Sequence, residues 1–383
     1  MSLSVTPEPA KNKPTLLVID DEAGPRDALQ VILRPFFNIQ TAESASAAID
    51  VLNSQPVDLI TLDQKLPDRQ GIDLLQDIKH HHTGVEVIII TGYGSLKSAM
   101  EGIRHGAAGY LLKPFNVTEL LSLVNQTLEK KQRLDFLRHF IGTSTGLWGS
   151  DSESAQAWKE LLAGYRAIGK SPSDNASHAE EMPDLLPVLS DLLEAKDRQL
   201  LNHCSRVSFY ATLLANRINL TLAEQKSLAL GAFLHDIGKI GPEAYQFADD
   251  EITVTGKAVG NRHHPERGAK LVLPLGLPAE VGQIIAYHHE RWDGSGYPFG
   301  LQGEGIPQLA RIVCIAQTFD HLTAELPGRT PLSIDDACQQ MLSYAGSHFE
   351  AKLTELFARV AQECKASLPA MAMATTPTDR SDS

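Results

Sequence analysis

His288-His289-Glu290-Arg291-Trp292-Asp293-Gly294-Ser295-Gly296-Tyr297-Pro298 closes an apolar helical run with two adjacent imidazoles and continues into a glycine-rich, proline-stopped loop. Histidine is the commonest protein ligand for transition metals, and a helix end beside a loop suits a site that must admit a substrate. A lone histidine on an apolar face is ordinarily a hydrogen-bonded core residue. Here four further histidines, His203, His235, His263 and His264, stand upstream in the same half of the chain, and Asp236 follows His235 directly. The pattern predicts a metal site assembled from several helices.

Between residues 182 and 367 there is no convincing alternation of period two. Residues 185–193, 200–218, 222–234, 269–273, 279–286, 308–322, 334–344 and 351–364 all carry helical spacing. An all-α helical bundle is the expected fold of this half, and bundles hold metals between facing helices. Over residues 200–218 the inward stripe is Leu200, Cys204, Val207, Ala211, Leu214 and Ile218. His203, three residues after Leu200 and four before Val207, faces inward with it. His235-Asp236 ends the next apolar helix, His264-Pro265 opens another, and His288-His289 closes the one after. Several neutral imidazoles with a bridging carboxylate suit Fe, Mn, Ni or Zn better than Mg. Two such ions could hold a bridging hydroxide and clamp a phosphodiester.

Composition bounds the rest. The 383 residues suggest two domains, and 43% apolar residues suffice for ordinary cores. The longest apolar runs, such as residues 85–90, are too short to span a bilayer, and the start, MSLSVTPEPAKNKP, has no apolar signal core. No membrane association and a cytoplasmic location are therefore expected. Cys204, Cys314, Cys338 and Cys364 form no CxxC pair, in keeping with reduced thiols. The net charge of −13 argues against DNA as a partner, as does the absence of a basic recognition helix.

In the first half, Thr15-Leu16-Leu17-Val18-Ile19 runs into Asp20-Asp21-Glu22. Leu59-Ile60-Thr61-Leu62 runs into Asp63, residues 85–90 into Thr91, and Gly109-Tyr110-Leu111-Leu112 into Lys113-Pro114. Helical stretches separate these apolar runs, so an α/β doubly wound parallel sheet, covered on both faces, is expected. Functional groups in such a sheet collect at the carboxyl ends of the strands. The acids Asp20, Asp21 and Asp63 need a cation in order to cluster, which implies Mg²⁺. Lys113 would pair with an added phosphoryl group and Thr91 would hydrogen-bond it. The simpler alternative, that each acid caps the following helix, accounts for one or two of them but poorly for all five positions. Asn116-Val117-Thr118-Glu119 has capping-box spacing ahead of an apolar stripe of Leu120, Leu121, Val124 and Leu128.

These strand ends, with Leu62-Asp63-Gln64-Lys65-Leu66-Pro67, Thr91-Gly92 and Lys113-Pro114-Phe115, resemble the receiver domain of two-component response regulators. The resemblance implies Asp63 as phosphoacceptor and Asp20, Asp21 and Asp63 as the Mg²⁺ site, with Asp21 its main carboxylate. It also implies Thr91 and Tyr110 as the switch pair beside Lys113, and a sensor histidine kinase as partner. The organisation expected is a flexible tail over residues 1–13, the receiver over 14–130, a helical connector and loop over 131–181, the helical domain over 182–367 and a disordered tail over 368–383. The connector could relay the receiver's rearrangement, carry a homodimer contact through the receiver, or act as a passive tether.

The second half is similar to HD-GYP domains, a branch of the HD phosphohydrolase superfamily. Leu234-His235-Asp236-Ile237-Gly238-Lys239-Ile240 carries the HD portion and the opening stretch carries the GYP portion. The resemblance implies hydrolysis of cyclic di-GMP or pGpG, with His203, His235, Asp236, His264, His288 and His289 as metal ligands and Asp236 bridging. It gives Asp236 and Lys239 the catalytic roles, with Lys239 and Arg329 on substrate phosphate. Gly294, Tyr297 and Pro298 would shape the guanine side, and GGDEF-domain proteins are implied as partners. Three departures stand out. Gln199 replaces a glutamate found in members with a third metal, so two metals are expected. Gln317 replaces an aspartate, for which Asp320 could compensate. Leu326-Pro327-Gly328-Arg329 retains one of two phosphate-binding cations, which shifts preference towards linear pGpG. A weakened module that senses nucleotide or binds other proteins is the alternative.

Overall fold

The computed structural model describes residues 13–92, 96–168, 185–241, 262–325 and 329–365. The expectations placed on residues 1–12, on the connector from 169 to 181, on Leu326-Pro327-Gly328 and on the tail from 368 lie outside the described residues. The chain divides into a unit ending at Arg133 and a unit beginning at Leu134.

In the first unit, β1 (Thr15–Ile19), β2 (Asn38–Ala42), β3 (Leu59–Leu62), β4 (Glu86–Thr91) and β5 (Gly109–Leu112) alternate with α1 (Ala23–Leu33), α2 (Ala45–Ser54), α3 (Gly71–His81), α4 (Leu96–Arg104) and α5 (Val117–Thr143). All strands pair in parallel in the order β2-β1-β3-β4-β5. Because side chains alternate along a strand, one apolar run serves two cores. Leu16 and Val18 join Leu29, Leu33, Leu120, Val124 and Leu128 on the face covered by α1 and α5. Leu17 and Ile19 join Ala48, Leu52, Leu74, Leu75 and Ile78 under α2 and α3. The strand order reverses between β1 and β3, so Asp20 and Asp63 emerge side by side there. At the start of α5, Asn116 Oδ1 accepts the Glu119 N–H at 2.7 Å, as the capping spacing required.

The second unit is helical. Beyond the end of α5 it contains α6 (Asp151–Ala167), α7 (Leu185–Lys196), α8 (Arg198–Ala215), α9 (Leu222–Leu234), α10 (His264–Val272), α11 (Ala279–Tyr287), α12 (Gln308–Thr323), α13 (Ile334–Leu342) and α14 (Ala351–Glu363). The described residues of the expected connector from Leu134 onward pack within this unit. Leu134, Leu137, Ile141, Leu147, Trp158 and Leu161 share a core with Val188, Leu192, Leu234, Ile237 and Ile240, and Trp158 Nε1–H donates to the Leu271 carbonyl at 2.8 Å. Each such side chain contributes roughly 1.5–3 kcal/mol on burial, more than a tether would commit. A second core gathers Val207, Leu214, Leu228, Ile284, Ile312, Phe319, Met341 and Phe357 from α8, α9, α11, α12, α13 and α14. None of the described helices is long and apolar enough to cross a membrane.

Candidate functional site

The helix ends deliver the histidines. His203 projects from α8, held by its Asp197 N-cap, which accepts the Gln199 N–H at 2.8 Å. Gln199 itself is exposed. His235 caps the C-terminus of α9, and Asp236 follows at the head of the short turn Ile237–Ile240 that carries Lys239. His264 is the first residue of α10, with Pro265 pre-set for a helical start. That start buries His264 and leaves the neighbouring His263 side chain 72% exposed, so His263 takes no part in the cluster. His288 caps α11, and His289 opens the loop.

These side chains meet around one carboxylate. Asp236 Oδ2 faces His203 Nε2 at 3.6 Å and His235 Nε2 at 3.3 Å, while Oδ1 faces His264 Nε2 at 3.2 Å and His288 Nε2 at 3.7 Å. The ligand atoms of His203, His235 and Asp236 lie within 4.8 Å of one another, and so do those of Asp236, His264, His288 and His289. Two groups thus share Asp236, which is 1% exposed.

The imidazole protons identify what the groups can hold. His235 Nδ1 lies 2.7 Å from the Ala232 carbonyl and His288 Nδ1 lies 2.8 Å from that of Ile285. A carbonyl oxygen only accepts, so each Nδ1 carries the proton and each Nε2 presents a lone pair. His203 Nδ1 is fixed in the same way by Asp320 Oδ2 at 2.7 Å. Yet His203 Nε2 and His235 Nε2 stand 3.2 Å apart, as do His264 Nε2 and His288 Nε2, and His289 Nε2 is 3.1 Å from His264 Nε2. Between His203 and His235, whose outer nitrogens carry the protons, two lone pairs face at that distance and repel unless a cation lies between them. Two nitrogens each about 2.1 Å from one ion stand roughly 3–3.4 Å apart, so the spacing fits a metal in each group. Burial lowers the His203 and His289 imidazoles and pushes His288 down to about 3, which keeps them unprotonated. Burial alone would raise Asp236. The Lys239 ammonium, 3.0 Å from Oδ2, leads the interactions that overcome that and hold the carboxyl well below its usual range. Asp236 Oδ1 is buried and accepts no hydrogen bond, an orphan suited to a cation.

Two glycines are required by close approach. A Cβ on Gly238 would lie 2.0 Å from the His264 carbonyl oxygen, and one on Gly296 would lie 2.3 Å from the Arg291 amide nitrogen. Gly238→Ala is therefore expected to push α10 away from the HD turn, cost about 1–3 kcal/mol and lower metal content. Denaturant melts and metal analysis read both, and wild-type values in each would contradict this packing. The loop after His289 is tied down by Glu290, 2% exposed, whose Oε1 and Oε2 accept the Phe299 and Leu301 N–H groups at 2.7 and 2.9 Å. Gly294 turns the chain with φ 80°, and the peptide bond between Tyr297 and Pro298 is cis. The Tyr297 ring stacks on His289 at 4.7 Å, with the Arg262 guanidinium 5.4 Å from its centroid.

The three departures fall differently. Gln317 lies beside the second group, where its Nε2–H donates to the His288 carbonyl at 3.0 Å and approaches His289 Nδ1 at 3.4 Å. Asp320 does not reach that place. Both its oxygens are engaged by His203 and by Arg206 in a buried cluster, so it offers no substitute carboxylate to the second group. Arg329 Nη1 contacts His321 Nε2 at 2.6 Å, while its buried Nη2 has no hydrogen-bond partner. Burial and the charges of Arg329 and Lys239 bring His321 down to about 4.

In the first unit, Lys113 Nζ lies 2.6 Å from both Asp20 Oδ2 and Asp63 Oδ2. Asp63 Oδ1 accepts the Lys65 N–H at 3.1 Å and Asp20 Oδ1 that of Glu22 at 3.0 Å. Asp21 is exposed, and Thr91 is fully buried at the end of β4. Tyr110 Oη lies 3.4 Å from Ser98 Oγ. Asp20, Asp21 and Asp63 do not converge within the 4.8 Å span of the two helical groups, since Lys113 stands between Asp20 and Asp63.

Family models match this chain twice, as a response regulator receiver domain over residues 16–125 and as an HD domain over residues 187–353. The chain carries a response regulator receiver domain followed by an HD domain. The receiver–HD protein is 28% identical to a Vibrio cholerae protein named probable cyclic di-GMP phosphodiesterase, over 90% of this chain and 77% of the relative. It is 24% identical to a cyclic di-GMP phosphodiesterase of Thermotoga maritima over 91% of each chain. It is 25% identical to the cyclic di-GMP phosphodiesterase response regulator RpfG of Xanthomonas campestris, over 90% of this chain and 87% of the relative. Sequence reading had missed Arg206 and the clamp made by Glu290. Arg206 lay three residues from His203 on one helix face, a signal of proximity, whereas nothing in the sequence tied Glu290 to the amides of Phe299 and Leu301.

Proposed function

We propose that the receiver–HD protein hydrolyses cyclic di-GMP, pGpG or both, yielding pGpG or GMP, under control of phosphorylation at Asp63. The observation that carries this reading is the single carboxylate of Asp236 shared by two sets of inward-facing imidazoles. His203, His235 and Asp236 would hold one ion of the Fe, Mn, Ni or Zn class, and Asp236, His264, His288 and His289 the other. When bound, such ions supply a hydroxide near neutral pH and Lewis-acid stabilisation of phosphoryl oxygens.

The chain's own residues bind and orient. Lys239 Nζ, next to Asp236, donates to a non-bridging phosphate oxygen, and the unpaired Nη2 of Arg329 offers a second donor. The Ala232 and Ile285 carbonyls keep the proton on the outer nitrogens of His235 and His288. The Gly294–Pro298 loop borders the substrate side through Tyr297 on His289. In the receiver, Asp20, Asp21 and Asp63 would bind Mg²⁺ once Lys113 yields, with a sensor histidine kinase as phosphodonor. GGDEF-domain proteins and a receiver-mediated homodimer belong to the same reading as partners.

The test is metal analysis of purified protein together with hydrolysis of cyclic di-GMP and pGpG under Mn, Fe and Ni. Two metals per chain and turnover of at least one nucleotide are expected. No turnover with any metal, with at most one ion bound, overturns the enzyme reading and favours a nucleotide-sensing or adaptor role, which the neutral amide of Gln317 beside the second group also favours. Gln317→Asp adds a charged ligand next to His288 and His289. It is expected to raise occupancy of the second group about tenfold or more, read by metal titration; unchanged occupancy removes Gln317 from the site.

A further inference from the structure

We propose that Asp320 and Arg206 form a positioning pair that fixes the tautomer and direction of His203, and so sets the affinity of the first metal group without touching the ion. The inference rests on the metal reading above and names residues that reading leaves idle. Asp320 is 1% exposed on α12, and its Oδ2 accepts the His203 Nδ1–H at 2.7 Å. Arg206, one turn after His203 on α8, grips the same carboxylate with Nε on Oδ1 at 2.5 Å and Nη2 on Oδ2 at 2.9 Å. The fork satisfies both oxygens and orients the group so that Oδ2 points at the imidazole. Asp320 meets the nitrogen turned away from the pocket, while His203 Nε2 faces His235 and Asp236.

A plain ion pair between α8 and α12 would explain Arg206 and Asp320 alone. Buried ion pairs, however, are commonly no more stable than apolar residues of the same volume, so helix cohesion gives weak reason for this one. The third partner supplies a reason: a carboxylate behind a ligating histidine holds its ring, protonates its outer nitrogen and raises the basicity of the inner one. His203 lies in the group without Gln317, and its ligands His203, His235 and Asp236 are all present. The pair therefore predicts unequal sites, the first tight and the second weak.

The experiment uses the full chain and two variants, Asp320→Asn and Arg206→Gln. Metal affinity is read by titrating Mn²⁺ or Co²⁺ into stripped protein against a competing chelator. The His203 tautomer is read in metal-free, ¹⁵N-histidine-labelled protein by two-bond nitrogen–proton correlation, with His203→Gln giving the assignment. Wild type should show the Nδ1–H form, and Asp320→Asn should mix in the Nε2–H form and weaken one of two sites about 10–100-fold. Arg206→Gln should weaken the same site less. A folded Asp320→Asn that retains wild-type tautomer and affinity overturns the proposal. Equal weakening of both sites also overturns it, in favour of a structural ion pair. If Asp320→Asn does not fold, Arg206→Gln decides by the same two readouts. If wild type binds no metal, the function proposed above fails, and the metal-free tautomer still decides whether Asp320 fixes His203.

Discussion

Asp236→Asn is expected to empty both metal groups and to lower kcat/KM on cyclic di-GMP and pGpG by roughly 10³-fold or more, the scale of losing a preorganised electrostatic group. The substitution preserves volume and burial, so the effect is chemical. Asparagine removes the one negative charge that faces four imidazoles. Whichever way its amide turns, an NH₂ group replaces an acceptor oxygen and points at Nε2 atoms now 3.2–3.7 Å from the carboxylate. That amide donates to an inward lone pair and satisfies it in place of a cation, so affinity falls in the group it faces. The other group loses its anionic bridge and most of the reason for two positive ions to sit close together. Metal per chain and steady-state hydrolysis are measured on protein whose thermal melt shows it folded. Two ions retained by Asp236→Asn would remove the bridging role.

The centre was legible in sequence to the extent that local periodicity governs it. His203 was assigned to the inner face of α8 from Leu200 and Val207 alone, and Val207 is fully buried. His235, His288 and His289 were assigned to helix ends, where they stand. Sequence spacing could not show which nitrogen of each ring carries its proton, because the carbonyls of Ala232 and Ile285 set it. Nor could it show that Asp320, 117 residues from His203, would be drawn behind that ring and not towards Gln317. Apolar runs separated by helical stretches implied a parallel sheet covered on both faces, and its two cores bear this out. The connector expected over residues 131–181 was read as helical, but its charged surface gave no sign of what it packs on: Leu134, Leu137 and Ile141 bury against residues flanking the HD motif.

Asp63→Asn is expected to abolish labelling by acetyl phosphate and to leave hydrolysis by the second unit unresponsive to that donor. Formation of an aspartyl phosphate requires a carboxylate nucleophile that donors can reach. Asp63 is 8% exposed and Asp20 only 1%, so donors reach Asp63 more readily. Lys113 bridges Asp20 and Asp63 at 2.6 Å. A phosphoryl group on Asp63 brings further negative charge into that contact, so the ammonium is expected to turn to it and loosen its hold on Asp20. The Asp63→Asn change is isosteric and keeps an acceptor for the Lys65 N–H and the surrounding packing, so the unit should melt close to wild type. Lys113→Ala separates acceptance from response: labelling persists at a reduced level, while the change in hydrolysis rate on phosphorylation is lost. Incorporated phosphate is counted by intact mass, and nucleotide turnover is measured with and without donor. Residual stoichiometric labelling of Asp63→Asn would transfer the acceptor role to Asp20. A rate change on donor addition that survives in Asp63→Asn would disconnect the receiver from the hydrolase.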